Sequence, residues 1–371
     1  MKLVFRKEQL MNAVNIVLKA VPSKTTMTIL QCILIDAQSD TIRLTGNDTE
    51  LGIETKAEGE IQAHGKIALE AKLFSEIIRK LSGEDDIILE TDEKLSTTIK
   101  SGKALFRIQG RDPEEFSYIP HIGRDHYICI SEYTLKEIIR QTIFSISPND
   151  SNRMMTGEYL KVEGSRLSLV ALDGNRMSIR NVALKNALSD VSAIIPGKSL
   201  SEISRILGDN IESDVLIFFD EGHAMFEFGD TVIVTRLIDG EYFRVNQMIS
   251  RDYATKVVIN RQQFLSEIDK ASIFIRENDK RPVVFQIRDT ELQVRLKSTF
   301  GSLNSEIPAQ KTGNDLMIGF NPAFFMDALR NIDDEEVTLY MMNPKSPCFI
   351  RDENESYIYL ILPVNFNPED I

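Results

Sequence analysis

The chain has 371 residues, 42% of them hydrophobic and 27% charged, which is enough for two or three domains with a core each. Its cysteines, Cys32, Cys129 and Cys348, lie far apart, which excludes a CxxC zinc knuckle and a secreted disulfide framework and favours a reducing cytoplasm. A formal net charge of −13 disfavours a simple basic nucleic-acid binder, and without a signal peptide or a long apolar run we expect no membrane insertion.

The predicted elements repeat along the chain in three stretches, each with a first helix, a strand pair, a second helix and further strands. The first helices are predicted over Lys7–Val21, Ser131–Phe144 and Arg261–Ile275, with Ser131 and Asn260 as N-caps. The second helices are predicted over Ala71–Leu81, Lys198–Leu207 and Pro322–Leu329, with Asn321 as a cap.

Strand-like segments repeat at the same interval, since those beginning at Ile42, Leu167 and Leu292 follow one another every 125 residues. Asp48 and Asp173 share one position after the first two of these segments, and Ser298 stands there in the third. We therefore predict an α+β protein of three repeated domains, over residues 1–122, 127–248 and 253–371, with helices backing antiparallel sheets. A coincidental order of elements is the alternative.

The charge is distributed unevenly between helices and the rest of the chain. Lys and Arg exceed Asp and Glu over the predicted helices taken together, although the chain as a whole is strongly acidic. Solvated helices often carry such charge, so alone this pattern leaves a surface role open. Combined with the repeat, it fits a local cationic surface that attracts duplex DNA without reading its sequence.

Five segments resemble one known family, the β subunit of bacterial DNA polymerase III, or β sliding clamp. They are Leu44-Thr45-Gly46-Asn47-Asp48-Thr49-Glu50-Leu51, Ala171-Leu172-Asp173-Gly174-Asn175-Arg176-Met177, Leu237-Ile238-Asp239-Gly240, Ile318-Gly319-Phe320-Asn321-Pro322 and Leu360-Ile361-Leu362-Pro363-Val364. The resemblance covers nearly the whole chain and implies a DNA clamp fold. It further implies a head-to-tail homodimer, a six-domain ring with helices inside and sheets outside.

In function, the resemblance implies a non-catalytic processivity subunit that encircles duplex DNA. Its partners would be the replicative polymerase, the clamp loader and repair proteins, which bind through short linear peptides. The groove implied for those peptides is mostly apolar and is formed by Met155, Leu172, Gly174, Arg176, Met177, Phe243, Met248, Asn321, Phe324, Leu360, Leu362, Pro363 and Val364. Apolar pockets with flexible Met walls suit peptide anchors such as Leu and Phe.

The groove also departs from the family pattern. Gln247 and Lys280 stand where many relatives have Arg and an aromatic residue, and Asn365–Ile371 extends past the usual end. Without the resemblance, core packing would be the preferred interpretation of Leu360, Leu362 and Phe324. The sequence therefore does not define which peptides are preferred.

The resemblance also implies two further sets of residues. Contact with DNA is expected from Lys24, Lys72, Arg79, Asn149, Arg153 and Lys198, although each of them is equally consistent with a solvated surface position. Ile108 on a strand of the first domain, and Ile273 with Phe274 at a helix end of the third, are expected at the dimer interface.

Motifs for catalysis or metal binding are missing from the sequence. The four histidines form no HxH or HExxH, and Ser192–Ser199 differs from a P-loop because Ser192 replaces its first Gly and Pro196 removes an N–H donor. We expect no cofactor and no metal. Two alternatives remain: a metal-dependent nucleic-acid hydrolase using acidic clusters such as Glu84-Asp85-Asp86 or Asp333-Asp334-Glu335-Glu336, and a monomeric peptide-binding adaptor.

Overall fold

The computed structural model describes residues 1–117, 119–149, 151–275 and 281–367, with the backbone alone for 186–189. In the first third of the chain, each helix follows directly on a strand. The elements are β1 (Lys2–Phe5), α1 (Lys7–Val17), β2 (Cys32–Asp36), β3 (Ile42–Asn47), β4 (Leu51–Ala57), β5 (Glu60–Ala63), β6 (Lys66–Glu70), α2 (Ala71–Lys80), β7 (Ile87–Thr91), β8 (Ser96–Ser101) and β9 (Ala104–Gln109).

The second third keeps this order but merges several strands into two long ones. The elements are β10 (Ile128–Ser131), α3 (Glu132–Arg140), β11 (Gly157–Leu172), β12 (Arg176–Pro196), α4 (Gly197–Ile206), β13 (Asp214–Phe219), β14 (His223–Phe228), β15 (Thr231–Arg236) and the single-turn α5 (Val245–Met248).

The last third repeats the order again. The elements are β16 (Thr255–Asn260), α6 (Arg261–Ser272), β17 (Val283–Ile287), β18 (Glu291–Ser298), β19 (Gly301–Gly313), β20 (Leu316–Phe320), α7 (Pro322–Arg330), β21 (Glu336–Met341), β22 (Cys348–Arg351) and β23 (Tyr357–Ile361). Each third thus runs strand, helix, hairpin-based sheet, helix and three strands, which confirms the predicted repeat.

The chain divides into two compact units. The first unit comprises Met1–Lys136 with Lys198–Leu237, and the second comprises Glu137–Gly197 with Ile238–Ile371. The first unit contains a five-stranded sheet in the order β5-β1-β7-β8-β9 and an eight-stranded sheet in the order β10-β13-β14-β15-β4-β3-β2-β6. The second unit contains one ten-stranded sheet in the order β11-β12-β23-β22-β21-β16-β19-β18-β17-β20.

Pairing between strands of different thirds makes these sheets continuous. In the first unit, β4 of the first third pairs antiparallel with β15 of the second, and in the second unit β12 pairs antiparallel with β23. The described strand pairs are all antiparallel, as the α+β fold class predicts.

The helix caps explain where the helices begin. Asn260 accepts a hydrogen bond from the Gln263 backbone N–H at 3.0 Å, and Ser131 accepts one from Thr134 N–H at 3.2 Å. Both predicted caps are thus confirmed, as is Asn321. The N-cap of α2 was not predicted: it is Glu70, whose carboxylate accepts hydrogen bonds from two backbone N–H groups at the start of the helix.

The predicted first helices are too long at their C-terminal ends. α1 ends at Val17 and continues as a 3₁₀ turn over Leu18–Ala20, α3 ends at Arg140, and α6 ends at Ser272. After α1 and α3 the apolar spacing continues through 3₁₀ turns over Leu18–Ala20 and Ile143–Ser145, in which Leu18, Ile143 and Phe144 are half-buried. The short strands β1, β10 and β16 that precede these helices were also not predicted.

The core of the second unit is rich in phenylalanine. Phe264, Phe285, Phe320 and Phe325 are fully buried, with ring centroids 4.8–5.9 Å apart in tilted or edge-on pairs. This packing fixes α6 and α7 against β17 and β20. No helix within the described ranges has the length and apolar character that crossing a bilayer requires.

Candidate peptide groove and the DNA-facing residues

The predicted groove residues are brought together by strand pairing in the second unit. Leu172 on β11 lies opposite Met177 on β12, and Met177 in turn lies opposite Leu360 on β23. Leu360, which is distant in sequence, thereby becomes a cross-strand neighbour of the Leu172 and Met177 hairpin on one sheet face. They belong to an apolar cluster that also includes Ile238 and Tyr242.

Burial separates the floor of this surface from its rim. Leu172, Met177 and Leu360 are buried, and half-buried Met155 and Phe243 pack on the same cluster. These buried residues form the floor of the surface, and the more exposed residues around them form its rim. Core packing, the alternative interpretation, therefore holds for Leu360.

Two of the predicted groove residues are exposed at the rim. The relative accessible surface is 38% for Leu362 and 42% for Met248. When a partner covers apolar side chains this exposed, binding is favoured by roughly 25 cal/mol per Å² of area removed from water. Leu362 is therefore available for contact rather than part of the core.

A tight turn at residues 173–176 forms one wall of the groove. The Asp173 carboxylate accepts backbone N–H bonds from Asn175 at 2.9 Å and Arg176 at 3.1 Å. Gly174 has φ +90°, a conformation that side-chain-bearing residues rarely adopt, and a Cβ there would meet nothing within 4 Å. The turn thus needs glycine for its backbone, while the space around it is open.

Arg176 ties this turn to α7. Its guanidinium contacts the Asp173 carboxylate at 3.0 Å and the Asp327 carboxylate at 2.6 Å, and donates to the Phe144 carbonyl. The guanidinium carbon also lies 4.5 Å from the ring centroid of Phe324. Because Arg176 is fully engaged, it orders the groove wall and presents Phe324 beside it.

Residues 362–364 form a lip that is hydrogen-bonded at both sides. Leu362 N–H donates to the Asn175 carbonyl at 2.9 Å, and Val364 N–H donates to the Gly319 carbonyl at 2.8 Å. Pro363 between them is half-buried. Beside Gly319, the Asn321 side chain accepts from Ala323 N–H and so caps α7 rather than pointing freely into the groove.

Several important contacts were not predicted from the sequence. Asp327, Asn175 and Gly319 hold Arg176 and the lip, and nothing in their local sequence indicates these distant partners. Gln247 is exposed next to Met248. Lys280, the other departure from the family pattern, lies outside the described residues, as does 368–371 of the C-terminal segment.

A buried carboxyl group lies on β11, next in sequence to Tyr159, which packs on the apolar cluster. Glu158 is fully buried; one of its oxygens lies 2.9 Å from the Thr142 hydroxyl, and the other has no hydrogen-bond partner in the described structure. Burial raises the pKa of Glu158 well above its ordinary value. Thr142 also donates to the Ile138 carbonyl at 2.7 Å, so a protonated Glu158 is able to donate to Thr142.

Four of the predicted DNA-facing residues belong to the first unit. Lys24, Lys72 and Arg79 are exposed, the last two on one face of α2. Lys198 is also exposed, but its ammonium lies 2.6 Å from the Asp48 carboxylate. The charge of Lys198 is thus partly neutralised within the chain. In the second unit, Asn149 and Arg153 are exposed.

The predicted interface residues lie at apolar surface positions. Ile108 is half-buried on β9, which also exposes Leu105 and Phe106, while in the second unit Ile273 is 78% exposed. Phe274, in contrast, is half-buried and packs against Gly301, where an added Cβ would lie 2.7 Å from its ring. Leu105, Phe106 and Phe300, also exposed, were missed by the sequence analysis.

The acidic clusters and the Ser192–Ser199 segment were the candidates for metal binding or catalysis. Within the described ranges, no group of three or more His, Cys, Asp or Glu residues is arranged to hold a metal ion. Asp334 accepts a hydrogen bond from the Tyr357 hydroxyl at 2.8 Å. The P-loop-like segment is a strand end followed by α4, and a Cβ at Gly197 would lie 2.4 Å from Ile146.

Comparison with known proteins agrees with this geometry. Models of the N-terminal, central and C-terminal domains of the DNA polymerase III β subunit match residues 1–120, 129–243 and 246–365. The chain is 35% identical to the β sliding clamp of Bacillus subtilis and 32% identical to that of Staphylococcus aureus, over 98% of this chain and 99% of each relative.

Solved structures show the same relationship. A DNA polymerase III β subunit from Eubacterium rectale superposes with a TM-score of 0.96 at 52% identity, covering 99% of this chain and all of that one. The sliding clamp of Bacillus subtilis superposes with a TM-score of 0.95 at 34% identity over the same shares. With three clamp domains in order and similarity along its whole length, the chain belongs to the DNA polymerase III β subunit family, the bacterial β sliding clamps.

Proposed function

We propose that two copies of this chain join head to tail into a ring that encloses duplex DNA and slides along it. The protein is a DNA sliding clamp, a non-catalytic processivity subunit of DNA polymerase III. The single observation that carries the ring is the way its sheets continue from one third of the chain to the next. Two such junctions lie within the chain, and the strands for a third are present but unpaired with each other.

The two internal junctions have the same construction. In the first unit, Leu51 on β4 lies opposite Thr235 on β15, and in the second unit Arg176 on β12 lies opposite Ile361 on β23. In both cases the second strand of a hairpin pairs with the last strand of the next third.

The corresponding third pair consists of β19 and β9. Within the described residues, β9 pairs only with β8, and the Gly301–Pro308 part of β19 pairs only with β18. Unpaired strand edges are liable to bind another chain unless they are covered. A second copy of the chain covers both edges when β9 of one protomer pairs with β19 of its partner.

The spacing of the internal junctions predicts the register of this pair. From the first junction to the second, the opposed pair moves from Leu51 and Thr235 to Arg176 and Ile361, a step of 125 residues on one strand and 126 on the other. The same steps place Gly301 opposite Gln109, and therefore Ser302 opposite Ile108. The same arrangement covers exposed Leu105 and Phe106 from one side and Ile273 and Phe300 from the other. The head-to-tail order follows because the two edges differ.

A disulfide cross-link tests this register. The double variant Ile108→Cys, Ser302→Cys should form a covalent dimer on mild oxidation, because directly opposed Cβ atoms lie about 5 Å apart. As a matched control, Ile108→Cys with Glu306→Cys places the thiols four residues, or about 13 Å, out of register. The native cysteines are buried or half-buried, so the unaltered chain serves as a blank. Cross-linking of the control but not of the first variant would contradict the register.

We further propose that the exposed cationic residues face the enclosed duplex. Lys24, Lys72, Arg79, Asn149, Arg153 and Lys198 are all exposed, which supports this role. Such contacts hold phosphates without reading bases, so binding weakens steeply with salt and permits sliding. Since Lys198 is paired with Asp48, we expect its contribution to be smaller than that of Lys24 or Arg79.

The groove of the second unit is proposed to bind short peptides of the replicative polymerase, the clamp loader and repair proteins. Support comes from its apolar floor, its exposed Leu362 and Met248, and its ordered Arg176 wall. We keep residues 1–122, 127–248 and 253–371 as the proposed domains. In the described structure Cys32, Cys129 and Cys348 form no disulfide, which supports work in a reducing cytoplasm.

A further inference from the structure

The C-terminal segment bridges two walls of the groove. Leu362 N–H is bound to the Asn175 carbonyl of the 173–176 turn, and Val364 N–H is bound to the Gly319 carbonyl on β20. β20 is the last strand of the ten-stranded sheet, and Gly319 already pairs with Val284 on β17. Residues 362–366 therefore lie along the outer edge of β20 after leaving the turn.

Phe366 marks the end of this bridge. Its ring lies so close to Gly319 that an added Cβ would be 2.7 Å from the ring and 2.8 Å from the Val364 carbonyl oxygen. Real Cβ atoms do not approach other atoms this closely, so only glycine at 319 leaves room for both the ring and the chain. Phe366 is half-buried there, although its neighbours Asn365 and Asn367 are exposed.

The two backbone hydrogen bonds alone are weak restraints for a chain segment. The stabilisation from one such bond does not exceed the entropy cost of fixing the backbone of one residue. Burying an aromatic ring adds a further stabilisation that is larger than that of either hydrogen bond. The ring of Phe366 thus makes the difference between an ordered lip and a fraying one.

The ordered lip holds Leu362 in an open position. The Leu362 side chain is exposed rather than folded onto the floor formed by Leu360 and Met177. A lip fixed in this state has already lost its conformational entropy before a peptide arrives. Fixing the lip therefore favours peptide binding instead of blocking it.

From these contacts we infer that Phe366 is a positioning residue of the peptide groove, which holds the Leu362 lip ready by packing on Gly319. The inference rests on the proposed peptide-binding function of that groove. Phe366 acts through the lip and does not need to contact the peptide. The role requires the pair of Phe366 and Gly319, so a change at either position should have the same consequence.

The test measures the affinity of the full-length protein for a short labelled peptide with Leu and Phe anchors. Phe366→Ala should weaken binding about fivefold to tenfold, because the conformational entropy of the lip is then lost on binding. Gly319→Ala, which displaces the ring from the other side, should give a similar loss. Phe366→Tyr keeps the ring and should retain the affinity of the unaltered chain. Asn365→Ala, at an exposed neighbouring position, is the matched control with no expected change.

A double-mutant cycle separates positioning from a general structural effect. Once Leu362→Ala has removed the side chain that is positioned, Phe366→Ala should cost little more, so the two losses should not add. Thermal unfolding of each variant shows whether the fold is intact. Fully additive losses, or unchanged affinity in Phe366→Ala, would overturn the inference. If Leu362→Asp also binds the peptide normally, the proposed groove itself fails.

Discussion

The junction between β4 and β15 and the junction between β12 and β23 have the same backbone arrangement but carry different side chains. Arg236 N–H donates to the Glu50 carbonyl at 2.8 Å in the first, and Leu362 N–H donates to the Asn175 carbonyl at 2.9 Å in the second. Asp48 and Asp173 each accept two backbone N–H bonds in the adjoining turns. The repeat has thus reproduced the scaffold closely.

The side chains at matching positions have diverged. Arg236 stands where the other junction has Leu362, and Gly52 stands where it has Met177. The first junction carries a cavity of about 250 Å³ whose lining combines apolar residues such as Ile122 and Met225 with Arg43 and Glu54, which pair with each other. The difference teaches that strand pairing supplies the frame, while the side chains at a few positions distinguish the junction that we propose to bind peptides.

Leu362→Asp should have the largest effect on this contrast. A carboxylate on the apolar lip should weaken peptide binding about 100-fold, equivalent to about 3 kcal/mol, because it must be desolvated against an apolar anchor. Arg236→Asp at the matching position of the first junction should leave affinity unchanged. Equal losses in both variants, measured by fluorescence anisotropy, would show that the junctions do not differ as described.

Glu158 breaks the repeat inside the core and should make stability depend on pH. The matching positions of the other two thirds hold Ile33 and Val283, both fully buried. Because burial raises the folded-state pKa of Glu158, its protonated form is retained as the unfolded chain loses its proton. The contribution to stability is therefore full below the unfolded pKa and is lost as pH rises towards the folded pKa, by about 1.4 kcal/mol per pH unit.

Glu158→Gln keeps the shape of the side chain and removes its titratable carboxyl group. Its free energy of unfolding relative to the unaltered chain should increase between pH 5 and pH 8, measured by urea unfolding. Glu163→Gln on the same strand, at an exposed position, is the control with little pH-dependent difference. Parallel stability curves for Glu158→Gln and the unaltered chain would show that Glu158 is charged in the fold.

The smallest expected effect concerns the turn itself. Thr49 has φ +77° where the other junction has Gly174 with φ +90°, so a β-branched residue holds a backbone conformation that favours glycine. Thr49→Gly should stabilise the protein by about 1 kcal/mol, and Gly174→Thr should destabilise it by a similar amount. Both are checked by urea unfolding, and a loss of stability in Thr49→Gly would mean that the threonine side chain contributes contacts of its own.

Sequence patterns were sufficient for the repeat but not for its connections. The 125-residue spacing of Ile42, Leu167 and Leu292 was visible because each lies in a strand whose apolar residues are required by the core. The contact of Arg176 with Asp327 joins residues 151 apart, and the bond of Val364 to Gly319 likewise depends on the folded sheet. Local patterns do not encode such partners, so the groove residues were found only through family resemblance.

Burial of individual residues was also beyond the sequence. Leu360 and Leu362 lie two residues apart and look alike in sequence, yet one is buried and the other exposed because β23 ends at Ile361. Glu158 was not singled out, since a lone carboxylate among apolar residues is ordinarily expected at the surface. The strand partners and Thr142 explain its burial only once the fold is known.

Two copies of the chain are proposed to close into a ring around DNA. The most direct measurement compares retention of the loaded protein on nicked circular DNA with retention on the same DNA after linearisation, at moderate salt. A closed ring should remain on the circle and slide off the free ends of the linear form, and cross-linking through Ile108→Cys and Ser302→Cys should prolong retention on the circle further. Equal retention on both forms would contradict topological enclosure.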